Sequence, residues 1–150
     1  MQESHFENQA EFKENPKKIV TRAILVNEQG KVLLGKRVRG GGVGKWALVG
    51  GKPDNNETPE HAVVREVKEE LGVDFSPTLF EILEDQQSKD RAENEPQAWD
   101  VYVYSGNYSG SPIYKPDEIS ELITVDEEEL KDLDIAFNHR EILERFFNQK

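Results

Sequence analysis

The order of apolar segments along the chain predicts an α/β fold in which a mixed β-sheet lies between helical layers. Three observations carry this: two strand-like runs in tandem near the start, a helix-period stretch around residues 58–72, and short strands followed by helical patterns toward the end. Residues 18–27 hold Ile19, Val20, Ala23, Ile24, Leu25 and Val26; residues 27–30 form a turn; and residues 31–38 carry Val32, Leu33 and Leu34. That is a strand–turn–strand signal. The glycine-rich residues 39–45 read as a loop, and residues 46–49 as a short strand running into Gly50 and Gly51.

The helix starts at Thr58, a good N-cap, with Pro59 at the first helical position, where its missing N–H costs nothing. Val63, Val67 and Leu71, helped by Ala62 and Val64, form its buried stripe, and Gly72 ends it. Residues 73–83 read as one strand and residues 84–96 as a polar loop or hairpin tip. Residues 99–104 alternate at period two, and the GNYSGSP stretch after them reads as a turn. A strand at 122–125, an acidic helix from Asp126 and an amphipathic helix over 136–147 complete the pattern.

The 150 residues fit one domain, taken as residues 17–150, behind a polar leader at 1–16 whose bulky apolar groups are Phe6 and Phe12. The leader reads as mobile or as a short edge element. Charged residues make up 33% against 35% hydrophobic, which predicts a small core under a strongly charged surface. A net charge of −11 repels polyanions, so polymeric nucleic acid and anionic membrane are disfavoured partners. With no cysteine, disulfides, thiolate metal sites and cysteine nucleophiles are excluded. There is no apolar run of membrane-spanning length and no signal-peptide pattern at the start, so a cytoplasmic location is expected.

The most informative run is residues 51–73, GKPDNNETPEHAVVREVKEELGV. Glu66, Glu69 and Glu70 fall at i, i+3 and i+4, so a helix places them on one face. Each like-charge pair at that spacing is unfavourable by roughly 0.2–0.5 kcal/mol, and an oxygen-preferring divalent ion is the obvious compensator. A solvated acidic helix is the plainer reading of such a cluster, but not with Gly51, Glu57, Arg65 and Gly72 at their spacings around it.

That run resembles the signature of the Nudix hydrolases: G, five residues, E, seven residues, R-E, an apolar residue, one residue, E-E, one residue, G, an apolar residue. Gly51, Glu57, Arg65, Glu66, Val67, Glu69, Glu70, Gly72 and Val73 meet every position. The resemblance implies a Nudix-type mixed β-sheet sandwiched between α-helices and a MutT-like enzyme that hydrolyses a nucleoside diphosphate linked to another group. It implies Mg²⁺, or Mn²⁺, held by Glu66, Glu69, Glu70 and the backbone carbonyl of Gly50. Arg65 and Glu57 are then a pair that orients the box. For the general base, some members use a box glutamate and others a glutamate before the last strand; Glu118 is the choice here, with Asp117 and Glu69 as alternatives.

Lys31, Lys36, Arg37, Arg39, Lys45 and Lys52 concentrate basic charge just upstream of the box. Arg37 and Lys52 are the expected substrate contacts, Arg37 by its similarity to a phosphate- or base-touching position of MutT-like members. Trp46 and Trp99 fit core packing or base stacking, His61 reads as a polar surface residue, and His5 and His139 offer no functional signal. The GVGKWALVGGK stretch is similar to members that act on nucleoside triphosphates, with cleavage to monophosphate and pyrophosphate. ADP-ribose or a nucleotide sugar is the alternative substrate, and a catalytically silent nucleotide-sensing domain the alternative of another class. Phe6, Phe12, Phe146 and Phe147 fit either a homodimer interface or internal packing.

Overall fold

A computed structural model of the chain describes residues 18–86 and 98–149. Among them, seven strands and three helices follow in the order β1 (Lys18–Val26), β2 (Val32–Arg37), β3 (Trp46–Ala47), α1 (Pro59–Leu71), β4 (Asp74–Phe75), β5 (Thr78–Gln86), β6 (Trp99–Ser109), β7 (Ile119–Val125), α2 (Glu127–Leu130) and α3 (His139–Asn148). The sheet runs β3-β2-β1-β6-β4, with β5 on β6 and β7 on β2. It is mixed, because β1 lies antiparallel to β2 and parallel to β6.

Alternation along β1 sends successive side chains to opposite faces. Val20 and Ile24 join Leu130, Ile142 and Leu143 beneath α2 and α3, while Ala23 and Leu25 join Val63, Val67 and Leu71 of α1. Each face of the central strand is therefore covered by a helical layer. Phe146 and Phe147 pack internally against the first of these clusters, with Phe146 edge-on to Phe80 at 5.7 Å.

Several elements differ from their expected bounds, each for a physical reason. The stretch 73–83 is two strands, because Pro77 offers no N–H to a ladder. β6 continues through the expected GNYSGSP turn to Ser109, since residues up to Asn107 pair with β1 and Tyr108 and Ser109 pair with β4. Gly106 marks a close backbone approach there: a Cβ on it would lie 1.9 Å from the Ser76 carbonyl oxygen. β7 begins at Ile119, opposite Arg37 of β2. The last helix begins at His139 because Phe137, at φ 57°, lies outside the helical region, and the stretch before it bonds to β3 through Trp46 N to Asp134 O and Ala136 N to Trp46 O, both 2.9 Å. The leader at 1–16, with Phe6, Phe12 and His5, and most of the 84–96 stretch lie outside the described residues; β5 itself extends through Gln86. Among the described residues no helix is long and apolar enough to cross a membrane.

Gly106→Ala is expected to destabilise the protein by about 1–3 kcal/mol, as overpacking against backbone does. Urea unfolding checks this, and an unchanged midpoint would mean that the Ser76 contact relaxes freely.

Candidate functional site

The box helix is built as its sequence dictates. The Thr58 hydroxyl accepts from His61 N at 3.1 Å, Pro59 opens the first turn, and Gly72, with φ 71°, donates its N–H to Lys68 O. Val63, Val67 and Leu71 are fully buried, and His61 is exposed. With the apolar stripe in the core, the orientation of the remaining side chains is set.

Arg65 organises the loop and the helix together. Its Nε and Nη2 reach the two carboxylate oxygens of Glu57 at 2.9 Å each, a bidentate pair, and Nη2 also donates to Lys52 O at 3.1 Å. Its Nη1 lies 3.2 Å from both Glu66 Oε2 and Glu69 Oε1. Glu57 Oε1 in turn accepts from Asp54 N at 2.8 Å. Arg65 and the Asp54 amide hold the Glu57 carboxyl down at about 2, and Glu57 raises the Arg65 guanidinium in return.

The carboxylates of the box divide into two groups. Glu70 shares a hydrogen bond with Glu66, and it is pushed well above the usual carboxylate range by burial first, then by that bond and by the charges of Glu66 and Glu118. Glu66 lies against the Gly50–Gly51 turn, where a Cβ on Gly51 would sit 2.3 Å from its carboxyl carbon. The turn is tied to β1 by Thr21 N to Gly51 O at 2.7 Å and by the Thr21 hydroxyl, which donates to Gly51 O at 2.9 Å. Glu69 faces outward, half-exposed and bonded to Arg65. Glu66, Glu70 and Gly50 thus converge, whereas Glu69 does not join them; among the described residues no three acidic or histidine side chains gather as a metal cage.

One cavity adjoins this cluster, and a second shares Arg22 and Arg37 with it. The larger, of about 260 Å³, is lined by Gly50, Glu70 and Glu118 together with Arg22, Arg37 and Arg39. Glu118 is paired there with Arg39 at 3.1 Å, while Asp117 is exposed and does not line it. The smaller, of about 130 Å³, is lined by Arg37, Lys52, Trp99, Gln86, Asn138 and His139, among others. Lys52 Nζ sits 5.3 Å over the Trp99 ring, and Asn138 donates to Gln86 at 3.1 Å. Trp46 and Trp99 both pack on the rim of the core, and Trp46 lies beneath Lys36.

Sequence reading overlooked Arg22, Phe137 and His139. His139 is buried, 2% exposed, with Arg22 Nε and Leu48 N each 3.1 Å from one of its ring nitrogens. Burial, then the charges of Arg22 and Arg37, hold its pKa well below the ordinary histidine value. The legible signal was Arg22, a charge inside the apolar run IVTRAILV. Phe137 carried none, since its φ of 57° follows from the tertiary path.

The NUDIX domain matches residues 16–146, nearly the whole described fold. The chain belongs to the Nudix hydrolase family. A MutT NUDIX hydrolase from Burkholderia pseudomallei superposes with a TM-score of 0.71 at 32% identity, over 87% of this chain and 98% of that one. An oxidized purine nucleoside triphosphate hydrolase of Danio rerio is 40% identical over 90 residues, 59% of this chain and 55% of that protein. An RNA pyrophosphohydrolase of Erythrobacter litoralis is 27% identical over 141 residues, 82% of this chain and 86% of that protein. The chain thus spans about half the length of the zebrafish relative.

The Glu57–Arg65 pair gives this Nudix domain an acid-sensitive clamp. A carboxyl depressed from 4.5 to about 2 contributes stability that is present above pH 4.5 and lost as pH falls through about 2. Glu57→Gln is therefore expected to flatten the decline of thermal midpoint between those pH values, and an acid slope identical to the parent would contradict the clamp.

Proposed function

We propose that this chain is a divalent-metal-dependent diphosphatase, with residues 17–150 as its Nudix unit, that cleaves a nucleoside triphosphate to the monophosphate and pyrophosphate. The observation that carries the reading is the pairing of Glu66 with Glu70 beside Gly50, on a cavity also lined by three arginines. Two carboxyls that close cannot both ionise without a compensating cation. Their hard oxygens, with the Gly50 carbonyl, suit Mg²⁺ or Mn²⁺, ions that complete their shell with water and substrate phosphate. Glu66, Glu70 and Gly50 would hold the ion, with Glu69 the further donor on the same helix. When bound, such an ion neutralises phosphate charge and lowers the pKa of water.

The chain's own residues supply the rest. Glu118 lines the same cavity as Glu70 and serves as the base that accepts a proton from the attacking water, with Arg39 holding its carboxylate in place. Arg65 and Glu57 keep the box helix and its loop in register, so that Glu66 stays against Gly51. Arg37 lines both cavities and Lys52 lines the smaller. Trp99 offers a face for a nucleobase, and Gln86 and Asn138 offer donors and acceptors for its edge. A phosphate chain then runs from the smaller cavity toward Glu70.

The zebrafish relative, named for oxidised purine triphosphates, supports the triphosphate over ADP-ribose. The bacterial relative named as an RNA pyrophosphohydrolase raises RNA as a second substrate, which the net charge of −11 opposes. The test is product release from nucleoside triphosphates, oxidised dGTP, ADP-ribose, nucleotide sugars and a triphosphorylated RNA oligomer, with Mg²⁺, Mn²⁺ or chelator. Pyrophosphate release that chelator abolishes and Glu70→Gln lowers by about 10²-fold or more is expected, in line with loss of a charge-stabilising group. Turnover confined to ADP-ribose or RNA would reassign the substrate, and nucleotide binding without turnover would make this a sensing domain.

Glu118→Gln is expected to lower kcat by about 10²–10⁴-fold and to remove the acid limb of the pH–rate profile. If kcat and that limb both survive, Glu118 is not the base, and Glu69 and Asp117 are the residues to substitute next.

A further inference from the structure

Arg22 occupies a position where the alternation of β1 calls for an apolar residue. Its neighbours on the same face, Val20 and Ile24, are core, 8% and 0% exposed. A cation in such a place is costly unless it is paired and put to use. Its Nη1 donates to Thr21 O at 2.8 Å, its Nε faces His139 Nε2 at 3.1 Å, and its guanidinium lies 5.9 Å from the Phe137 ring centre. Phe137 sits at φ 57°, a conformation that a bulky side chain adopts only when its surroundings enforce it.

The location is as telling as the support. The Gly50 turn is pressed onto β1 so closely that a Cβ there would lie 3.0 Å from Arg22 Cα. Arg22 therefore leaves the sheet beside the carbonyl-bearing turn of the carboxylate cluster. Together with Arg37 it lines both cavities. The Arg37 guanidinium is engaged with the carbonyls of Gly41 and Arg39, which shapes the glycine-rich loop.

We propose that Arg22 is a catalytic residue that binds the phosphate at the junction of the two cavities and stabilises its transition state, and that His139 is the residue that positions it. The proposal rests on the hydrolase reading above and adds a group to it. In the displacement, the oxygen of water bonds to phosphorus while the anhydride P–O bond breaks. Pyrophosphate leaves with that electron pair, and Glu118 takes the water's proton. Arg22 keeps its protons throughout and meets the negative charge that spreads over the phosphoryl oxygens. A guanidinium held by the Thr21 carbonyl and packed against His139 and Phe137 loses little freedom at that moment, which is the condition for electrostatic stabilisation.

His139 supplies the specificity of the anchor. A neutral imidazole accepts through one nitrogen only, yet two N–H donors face this ring, Arg22 Nε at Nε2 and Leu48 N at Nδ1. Glutamine in its place keeps an acceptor near the ε position and asparagine keeps one near the δ position. The two variants therefore separate support of Arg22 from support of the Leu48 backbone.

The experiment measures kcat and KM on the best triphosphate at saturating Mg²⁺ for the parent, Arg22→Ala, Arg22→Lys, His139→Gln and His139→Asn. Thermal midpoints and calorimetric affinity for a non-hydrolysable α,β-methylene triphosphate are recorded alongside. Arg22→Ala is expected to lower kcat by about 10²-fold with a smaller change in KM, and added guanidinium at a non-denaturing concentration restores part of the rate. His139→Gln retains more kcat than His139→Asn. Parental kcat in Arg22→Lys and Arg22→Ala overturns the proposal, as does a loss that guanidinium leaves untouched while the midpoint falls in parallel. Should Arg22→Ala fail to fold, Arg22→Lys decides alone, by a lowered kcat at a retained midpoint. A parent that hydrolyses another compound but no triphosphate reassigns the substrate, and the variants are then read on that compound; a parent that hydrolyses nothing overturns the hydrolase reading, and the role of Arg22 with it.

Discussion

Arg65 is the side chain on which the geometry of the site depends. Through one guanidinium it binds both oxygens of Glu57, the carbonyl of Lys52 and the carboxylates of Glu66 and Glu69. A planar fork of five fixed donors can do this where a lysine, a single flexible point charge, cannot. The loop over residues 52–57 is thereby closed onto α1, and Glu66 is kept against a glycine turn with no room for a Cβ. The charges in this network are strong because of where they sit. Glu57 is depressed by its partner, and Glu70, buried beside Glu66, is raised.

Charge is distributed unevenly over the molecule. The chain as a whole carries −11, yet Arg22, Arg37 and Arg39 converge on one cavity, with Lys52 at its neighbour. A local basic patch on an acidic protein attracts a small anion at short range while the overall field repels a large polyanion. The pairing of Arg39 with Glu118, which spans 79 positions of sequence, brings the glycine-rich loop to the turn before β7. That pairing couples the basic side of the cavity to the acidic one.

The second cavity owes its form to the segment before α3. Asp134 and Ala136 bond to the backbone of Trp46, so this stretch continues the sheet edge in place of the helix. The chain then turns through Phe137, and its ring receives Arg22 and Arg37 at 5.9 and 4.8 Å. His139, the first residue of α3, is thereby buried against β1. A helix that began at Ala136 would need Phe137 at a negative φ, and it lies at 57°.

The box was legible residue by residue, because its chemistry and its helix are local. Thr58, Pro59 and Gly72 set the ends of α1, the Val63–Val67–Leu71 stripe sets its buried face, and the Glu57–Arg65 pair was implied by the resemblance of the box to the Nudix signature. The alternating runs of β1, β2 and β6 likewise announced a mixed sheet under helices. What only the tertiary structure decided is which charges meet. Glu69 shares the spacing of Glu66 and Glu70 but is the more exposed, with Arg65 bonded to both it and Glu66, and Glu118 reaches the cavity through a register with β2. His139 lies 117 positions from Arg22 in sequence and touches it in space. Periodicity within one segment determines a face, because backbone geometry is local. Partners across the sheet depend on how separate segments pack, and no spacing along the chain encodes that.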